Sequence, residues 1–440
     1  MILSLATAEQ SGFWEERAPL GRFRAVDELI SIDEARRRVL EAVRRLEDED
    51  VPLGDSHGRV LAEDVESAVD VPPFDGSAMD GYAVIAGPEA ELAVVGESRA
   101  GHPAPERVEP GTAIRISTGA AMPAGATAVV PLERSRPAGE REAESGPVAG
   151  READGGRVPS ERVQVEASSP GDNVRRAGED IAAGRVVLAT GVVLGPAELG
   201  VAASVGRATL RCARRPRVAV LVTGDELSEP GRPLRPGGIY SSNGWALAAQ
   251  AERAGAHLVA RETVPDSAEA TRAALSRALE AADVTIVSGG VSVGPHDHVK
   301  PALRELGVEE RFWGVSLRPG KPTWFGERDG RLAFGLPGNP VSAMVTFHLF
   351  VRAALAALQG ADPAAAHAHA TLEEPLPRHP TREQAVRVRL ETSDDGWRAR
   401  PTGPQGSHML TSMLGAAALA RIAPGDGEVD AGQRVEVELL

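Results

Sequence analysis

The sequence predicts a multidomain α/β and β protein, with a doubly wound parallel α/β domain in its second half and β-rich modules on either side. Three observations lead there. Between 217 and 357, apolar strand-like runs alternate with helical patterns at the spacing of βαβ units. Residues 69–135 are short β-like runs broken by Gly and Pro. Residues 371–440 alternate in short strands that suggest a small barrel or sandwich. A length of 440 residues fits about three domains.

Taken in order, residues 1–25 show no period and read as a loosely held extension. Residues 31–48 read as a helix: Ser31 and Glu34 form a capping box, and Ile32, Ala35, Val39, Val43 and Leu46 an apolar stripe. The β-like runs are 82–85, 92–95, 112–116 and 128–132. Residues 136–157 are charged and Gly-rich, as in a solvated hairpin tip or insertion. Strand patterns return at 162–166 and 186–188. The α/β region opens with a buried-strand run at 217–222, followed by a helix at 243–254 and a strand at 257–264. Asp266 then caps a helix, with Glu269 three residues on. A strand at 283–288 ends in Gly289-Gly290, and a helix follows from about 297 to 306. After a strand at 332–335, Pro340 takes the first position of an apolar helix reaching 358. Residues 361–370 read as a linker or helix tail, and strands follow at 385–390, 397–401 and 434–439.

Composition narrows the function. Hydrophobic residues make up 42% and charged residues 25%, enough for a sizeable core. The net charge of −15 argues against a non-specific nucleic-acid or anionic-membrane surface. Cys212 is the one cysteine, which excludes an internal disulfide and a Cys-rich metal site. No run resembles a membrane span and no basic leader is seen, so a cytoplasmic protein is expected. Lys300 and Lys321 are the only lysines in an Arg-biased chain. They mark positions where a compact ammonium is preferred to a planar fork, although chance survival explains them as well.

Ligands of open α/β sheets bind beyond the carboxyl ends of strands. Three such loops are marked here: Thr223-Gly224 with Asp225 and Glu226; Ser288-Gly289-Gly290 through Ser292; and Pro337-Gly338-Asn339-Pro340. Each alone is an ordinary tight turn; three on one edge suggest a phosphate- or pterin-sized pocket. Neither a Walker sequence nor a full dinucleotide fingerprint is present. Glu226, Asp266 and Asp297 are candidate ligands for Mg²⁺, which takes one or two carboxylates plus substrate oxygens. Helix capping is the simpler role for Asp266 and is open to Asp297. His296 and His298 read as loop residues rather than ligands. Lys300 and Lys321 are placed to meet an anion. A second polar cluster falls in residues 70–82, 117–123 and 172–180, and includes Asp80, Thr118 and Asp180. Turn chemistry and surface ion pairs explain each of these segments singly.

Seven stretches in order, DVPPFDGSAMDGYAV, RISTGAAMPAGATAVV, PGDNVRRAGEDI, VTGDEL, SGGVSVGPHD, LRPGKPTWFG and GLPGNPVSA, resemble the molybdopterin molybdenumtransferase family, related to the C-terminal part of gephyrin. The resemblance implies a split helical domain (26–68 and 172–215), an inserted β-domain (69–171), an α/β molybdopterin-binding domain (216–360) and a C-terminal β-barrel-like domain (361–440). It implies a homodimer with shared active sites. The reaction would take adenylylated molybdopterin and molybdate, release AMP with Mg²⁺ assistance, and use no covalent nucleophile. Glu226, Asp266 and Asp297 would handle metal and phosphate. Thr223, Gly224, Ser288, Gly289, Gly290, Ser292, Lys300, Arg318, Lys321, Pro337, Asn339 and Pro340 would serve the pterin and oxyanion pocket. Asp80, Thr118 and Asp180 would come from the facing subunit. Arg318 stands where many members carry Lys, Gly314 where Lys is frequent, and Gly76 where Asn is frequent. The alternatives are the preceding adenylyltransferase, which shares the SGG-type loop, and a non-catalytic dimeric scaffold.

Overall fold

The computed structural model describes residues 29–138, 161–291 and 297–440. The 1–25 extension, most of the charged 136–157 segment, Ser292 and His296 lie outside the described residues. The chain forms two compact units. One comprises residues up to Val43, Arg217–Leu355 and Pro363–Leu440; the other comprises Arg44–Pro216 and Ala356–Asp362.

In the first unit, Arg217–Thr223 is the buried centre of a six-stranded sheet. His257–Val264 and Val284–Ser288 flank it in parallel, and Arg331–Leu336 pairs in parallel with Val284–Ser288. Trp324–Arg328 and Glu309–Trp313 complete the sheet antiparallel. The near-continuous apolar runs suit strands covered on both faces. Helices Asn243–Arg253, Ala268–Ala281, Val299–Glu305 and Pro340–Thr346 connect or follow these strands. Asp266 does not cap Ala268–Ala281. Ser267 does, its side chain accepting from the Ala270 N–H. The chain stays extended one residue further than expected, which frees the Asp266 carboxylate for other work.

The apolar helix begins with Pro340 as predicted but is not uniform. A π-helical turn at Phe347–Val351 separates Pro340–Thr346 from Arg352–Leu358. Among the described residues this is one helix long and apolar enough to cross a membrane, a correction to the sequence reading, and 78% of its most apolar window is buried within the fold. Helix Ile32–Ala42, capped by Ser31 as expected, packs in this unit: Arg36 donates to the Leu349 carbonyl at 3.0 Å and pairs with Glu438 at 2.6 Å. It stops six residues short of the predicted end because Val43 turns extended. The strand expected only from 385 begins at Glu383, and His367–Leu372 forms a strand where a linker was predicted. Glu383–Ser393, Gly396–Pro401, His367–Leu372, Arg434–Leu439 and Ala418–Ile422 pair in a ring that closes on itself as a five-stranded barrel.

In the second unit, six strands between Gly81 and Val165 form one sheet, with Gly81–Val84 between Ala128–Pro131 and Thr112–Ile116. The segments flanking it were expected to be helical. Besides Ile32–Ala42, which belongs to the first unit, their described part carries one α-helix, Pro196–Ser204, and is otherwise built from short ribbons, among them Asp48–Pro52 against Thr209–Ala213 and Val65–Glu66 against Val186–Leu188.

Glu438 is fully buried between Arg36 and His348. Burial would raise its pKa, but the hydrogen bonds from His348 and Arg36 outweigh it and hold the carboxyl at about 2 against an ordinary 4.5. A lowered carboxylate pKa stabilises the fold above the unfolded-state value, and that stability is lost as pH falls through the folded one. Chemical denaturation should therefore find Glu438→Gln weaker than wild type by about 3 kcal/mol at neutral pH. The gap should close as pH drops from 4.5 towards about 2.

Candidate active site

The four parallel strands place Thr223, Val264, Ser288 and Leu336 on one edge of the sheet, with Val222 level with Ser288 and Ser288 level with Leu336. The buried Ser288 hydroxyl accepts from the Asn243 amide at 2.9 Å and donates to the Pro337 carbonyl at 3.0 Å. The same Asn243 nitrogen donates to the Gly338 carbonyl at 2.7 Å. Gly289 lies against Thr223 with φ +96°; a Cβ there would sit 2.8 Å from Thr223 Oγ1. A cleft of about 390 Å³ opens here, lined among others by Thr223, Glu226, Ser241, Asn243, Asn339 and His408. Thr223 Oγ1 and Ser241 Oγ are buried without a hydrogen-bond partner. Buried polar atoms of that kind point to a ligand that completes them.

The carboxylates divide. Asp225 and Asp266 exchange hydrogen bonds: the Asp266 N–H donates to Asp225 Oδ1 at 3.1 Å, and the Asp225 N–H to Asp266 Oδ2 at 3.3 Å. Asp225 Oδ2 and Asp266 Oδ1 stand outside this exchange. Glu226 lines the cleft, its carboxylate folded over Gly224. Asp297 is different: its side chain is 8% exposed and pairs with Lys300 Nζ at 3.1 Å. Lys300 in turn lies 4.8 Å from the Trp313 ring centre. Asp297 is thus paired in charge with Lys300, while its Oδ2 is buried without a hydrogen-bond partner. Among the described residues no group of three or more His, Cys, Asp or Glu is gathered to hold a metal.

Positive charge without acidic partners collects near the barrel. Among the described residues, Arg318, Lys321 and Arg382 make no ion pair. Leu317–Arg318 runs parallel to Glu383–Gln384, which follow Arg382 directly. Arg387, 1% exposed, has no carboxylate partner either; burial lowers its pKa to about 10. Its guanidinium gathers the carbonyls of Gln405 and Gly406 and the Ser412 hydroxyl, fixing the loop after Pro401. That loop reaches the sheet edge: Asn339 donates to Ser407 Oγ at 3.1 Å, and the Val341 N–H to the Ser407 carbonyl at 3.1 Å.

In the second unit, Asp80 Oδ1 accepts from the Thr118 N–H at 2.7 Å and from its hydroxyl at 3.2 Å. A pocket of about 490 Å³ is lined by Phe74, Ser77, Gly119, Arg175, Glu179 and Asp180. Asp75 pairs with Arg176 at 2.6 Å, and the Ala177 N–H and this guanidinium hold its carboxyl below the usual range.

Residues 30–206 match the MoeA N-terminal region (domains I and II), 219–357 a probable molybdopterin-binding domain, and 369–440 the MoeA C-terminal region (domain IV). Molybdopterin molybdenumtransferase 2 of Mycobacterium tuberculosis is 38% identical over 92% of this chain and 98% of its own. The chain belongs to the molybdopterin molybdenumtransferase family. The Haemophilus influenzae molybdopterin molybdenumtransferase is 35% identical over 93% and 98% of the two chains. A crystal structure of the Pyrococcus horikoshii molybdopterin biosynthesis MoeA protein superposes with a TM-score of 0.74 at 31% identity, covering 94% of this chain and 99% of that one.

A member of this family is a transferase of molybdenum-cofactor biosynthesis, and its substrates are molybdopterin and molybdate. The site residues expected from sequence fall into two groups. Thr223, Gly224, Glu226, Asp266, Ser288, Gly289, Gly290, Pro337, Asn339 and Pro340 gather at the sheet edge, while Asp80 and Thr118 pair in the second unit. Arg382, Arg387 and Ser407 were missed, because the absence of an acidic partner is visible only in three dimensions. At Gly314, φ is +91° and a Cβ would lie 2.8 Å from Leu29 Cδ2, so a side chain there would strain this backbone. Since Asn243 ties two of the site loops together, Asn243→Leu should cost about 1–3 kcal/mol in chemical denaturation by leaving the Ser288 hydroxyl and Gly338 carbonyl short of a partner. Amide hydrogen exchange in residues 337–342 should accelerate in the same variant.

Proposed function

We propose that this chain transfers molybdenum from molybdate to adenylylated molybdopterin with release of AMP, working as a cytoplasmic homodimer whose active sites are shared between subunits. The observation that carries this reading is the presence, in one compact unit, of a cleft with unsatisfied hydroxyls on a parallel-sheet edge and a group of cations without acidic partners. The cleft suits the pterin nucleotide. Its glycine-bearing turns admit a phosphate to backbone N–H groups. Arg318, Lys321 and Arg382 suit a tetrahedral oxyanion. The Asp80–Thr118 pair and the pocket beside Asp180 would complete the site from the second subunit.

No three carboxylates gather here among the described residues, but Mg²⁺ takes only one or two plus substrate oxygens, a demand that Glu226 in the cleft and Asp266 at the neighbouring strand end would meet. Asp297 fits less directly, since Lys300 already balances its charge. Bound there, Mg²⁺ would neutralise phosphate charge as AMP leaves. The chain's own residues orient the nucleotide and hold the oxyanion beside it. This favours positioning and charge stabilisation over a covalent nucleophile. The adenylyltransferase reading leaves the matches on both sides of the α/β domain without a task.

The purified protein should release AMP from adenylylated molybdopterin only when molybdate is supplied; ATP-dependent adenylylation without that activity would sink the assignment. Glu226→Gln should lower turnover about 100-fold. Mixing inactive Asp80→Ala and Glu226→Gln chains should restore about a quarter of wild-type activity, because half of each re-formed heterodimer's sites are intact. Restoration to no measurable level would rule out sharing between subunits.

A further inference from the structure

His379 lies half-buried in the turn that leads into Glu383–Ser393. Its Nδ1 faces the backbone N–H groups of Thr381 at 3.2 Å and Arg382 at 3.1 Å. Its Nε2 faces Arg382 Nε at 3.2 Å and Nη2 at 2.8 Å. Every one of these neighbours is a donor, since a guanidinium has no lone pair to offer. A neutral imidazole brings one lone pair and one N–H, so one side of the ring must meet a donor with a donor. An imidazolium would do so on both sides. The turn therefore aims more donors at the ring than its one lone pair can satisfy, and an anion is a group that relieves such a surplus.

The charge around the turn agrees. Partial burial, with Arg382 and Arg318 nearby, pushes the His379 pKa below its ordinary value. Burial and then Arg318 push the Arg382 pKa down. Arg318 faces the turn from the strand paired with Glu383–Gln384, and Ser316 Oγ ties that strand to the Thr381 carbonyl at 3.0 Å. Glu383, the carboxylate next to Arg382, is bonded to Arg421 instead. Arg378, the preceding residue, donates to the Ala423 carbonyl.

We propose that His379 is a positioning residue for the oxyanion site: its neutral ring holds the Arg382 guanidinium beside Arg318, and the unsatisfied donors of the turn are completed by oxygens of the bound oxyanion. This rests on reading Arg318, Lys321 and Arg382 as that site. The neutral ring sets Arg382 in place before binding; once seated, the anion accepts from Arg382 in the ring's stead and its charge favours the imidazolium, so binding raises the His379 pKa and, by linkage, affinity strengthens as pH falls towards the raised value.

The test uses the full-length chain and molybdate alone, without pterin, by isothermal titration calorimetry and by NMR of labelled imidazole rings, with turnover measured in parallel. Wild type should bind molybdate, and the His379 pKa should rise on saturation. His379→Ala should weaken molybdate binding about tenfold and raise KM for molybdate with kcat within about twofold. His379→Gln keeps an acceptor for Arg382, so it should bind within about twofold of wild type at neutral pH yet lose the strengthening at lower pH. Unchanged binding in His379→Ala, or an unmoved His379 pKa, overturns the positioning role while leaving the oxyanion site standing. Absence of molybdate binding in wild type overturns the underlying site, and this inference with it.

Discussion

The amide of Asn243 sits between the Ser288 hydroxyl and the Gly338 carbonyl, and the binding edge of the sheet is organised around that contact. One hydrogen-bonded chain, Asn243 to Ser288 to Pro337, joins a helix start, the end of one strand and the loop after another. All of it lies at or near full burial, where an unmade hydrogen bond is expensive and a made one is well fixed. The loops that would meet a phosphate are therefore held by the rigid sheet rather than by their own flexible backbone. Gly289 belongs to the same constraint: with Thr223 so close, no side chain fits between these strand ends.

Charge follows a local logic. A chain of net charge −15 has no general attraction for anions, so an anionic ligand must be met by cations kept out of ion pairs. Many arginines here are spent on carboxylates, such as Arg36 on Glu438, Arg217 on Asp283 and Arg421 on Glu383. Arg318, Lys321 and Arg382 are not. Of the two lysines, Lys300 is committed to Asp297 and Lys321 is left exposed. The two lysines, both read from the sequence as anion contacts, thus stand in different settings: one a partner for a buried acid, the other an open point charge.

Much of this was legible in the sequence. Strand patterns at 112–116, 186–188, 257–264 and 434–439 match the observed elements residue for residue, because period-2 or all-apolar runs bounded by Gly and Pro leave little choice. The three site loops were legible for the same reason: they follow strong strands. Other features were not. Asp266 looked like a helix cap because Asp and Ser267 are both good caps, and only the backbone decides between them. The π-helical turn leaves no periodic signature in an all-apolar helix. Arg387 reads as an ordinary alternating residue of a strand. Its isolation from any acid, and its grip on the loop bearing Ser407 and His408, arise from closure of the barrel, which brings together residues far apart in sequence.

The split between buried and exposed cations bears on turnover. A site that captures an oxyanion and then surrenders its metal cannot hold it as tightly as a structural ion pair. Two unit charges 4 Å apart interact by about 1 kcal/mol in bulk water and about 4 kcal/mol near a protein surface. Arg318 and Lys321 are exposed, so as the proposed oxyanion contacts they would act near the weak end of that range and release as readily as they bind. Arg387, at 1% exposure, would act near the strong end, but its donors are committed to carbonyls and a hydroxyl. It shapes the loop beside the site while the exchangeable contacts fall to side chains that water can also reach. Arg382, half-buried and leaning on an imidazole, lies between these extremes, where a single neighbouring lone pair is enough to decide which way its guanidinium faces.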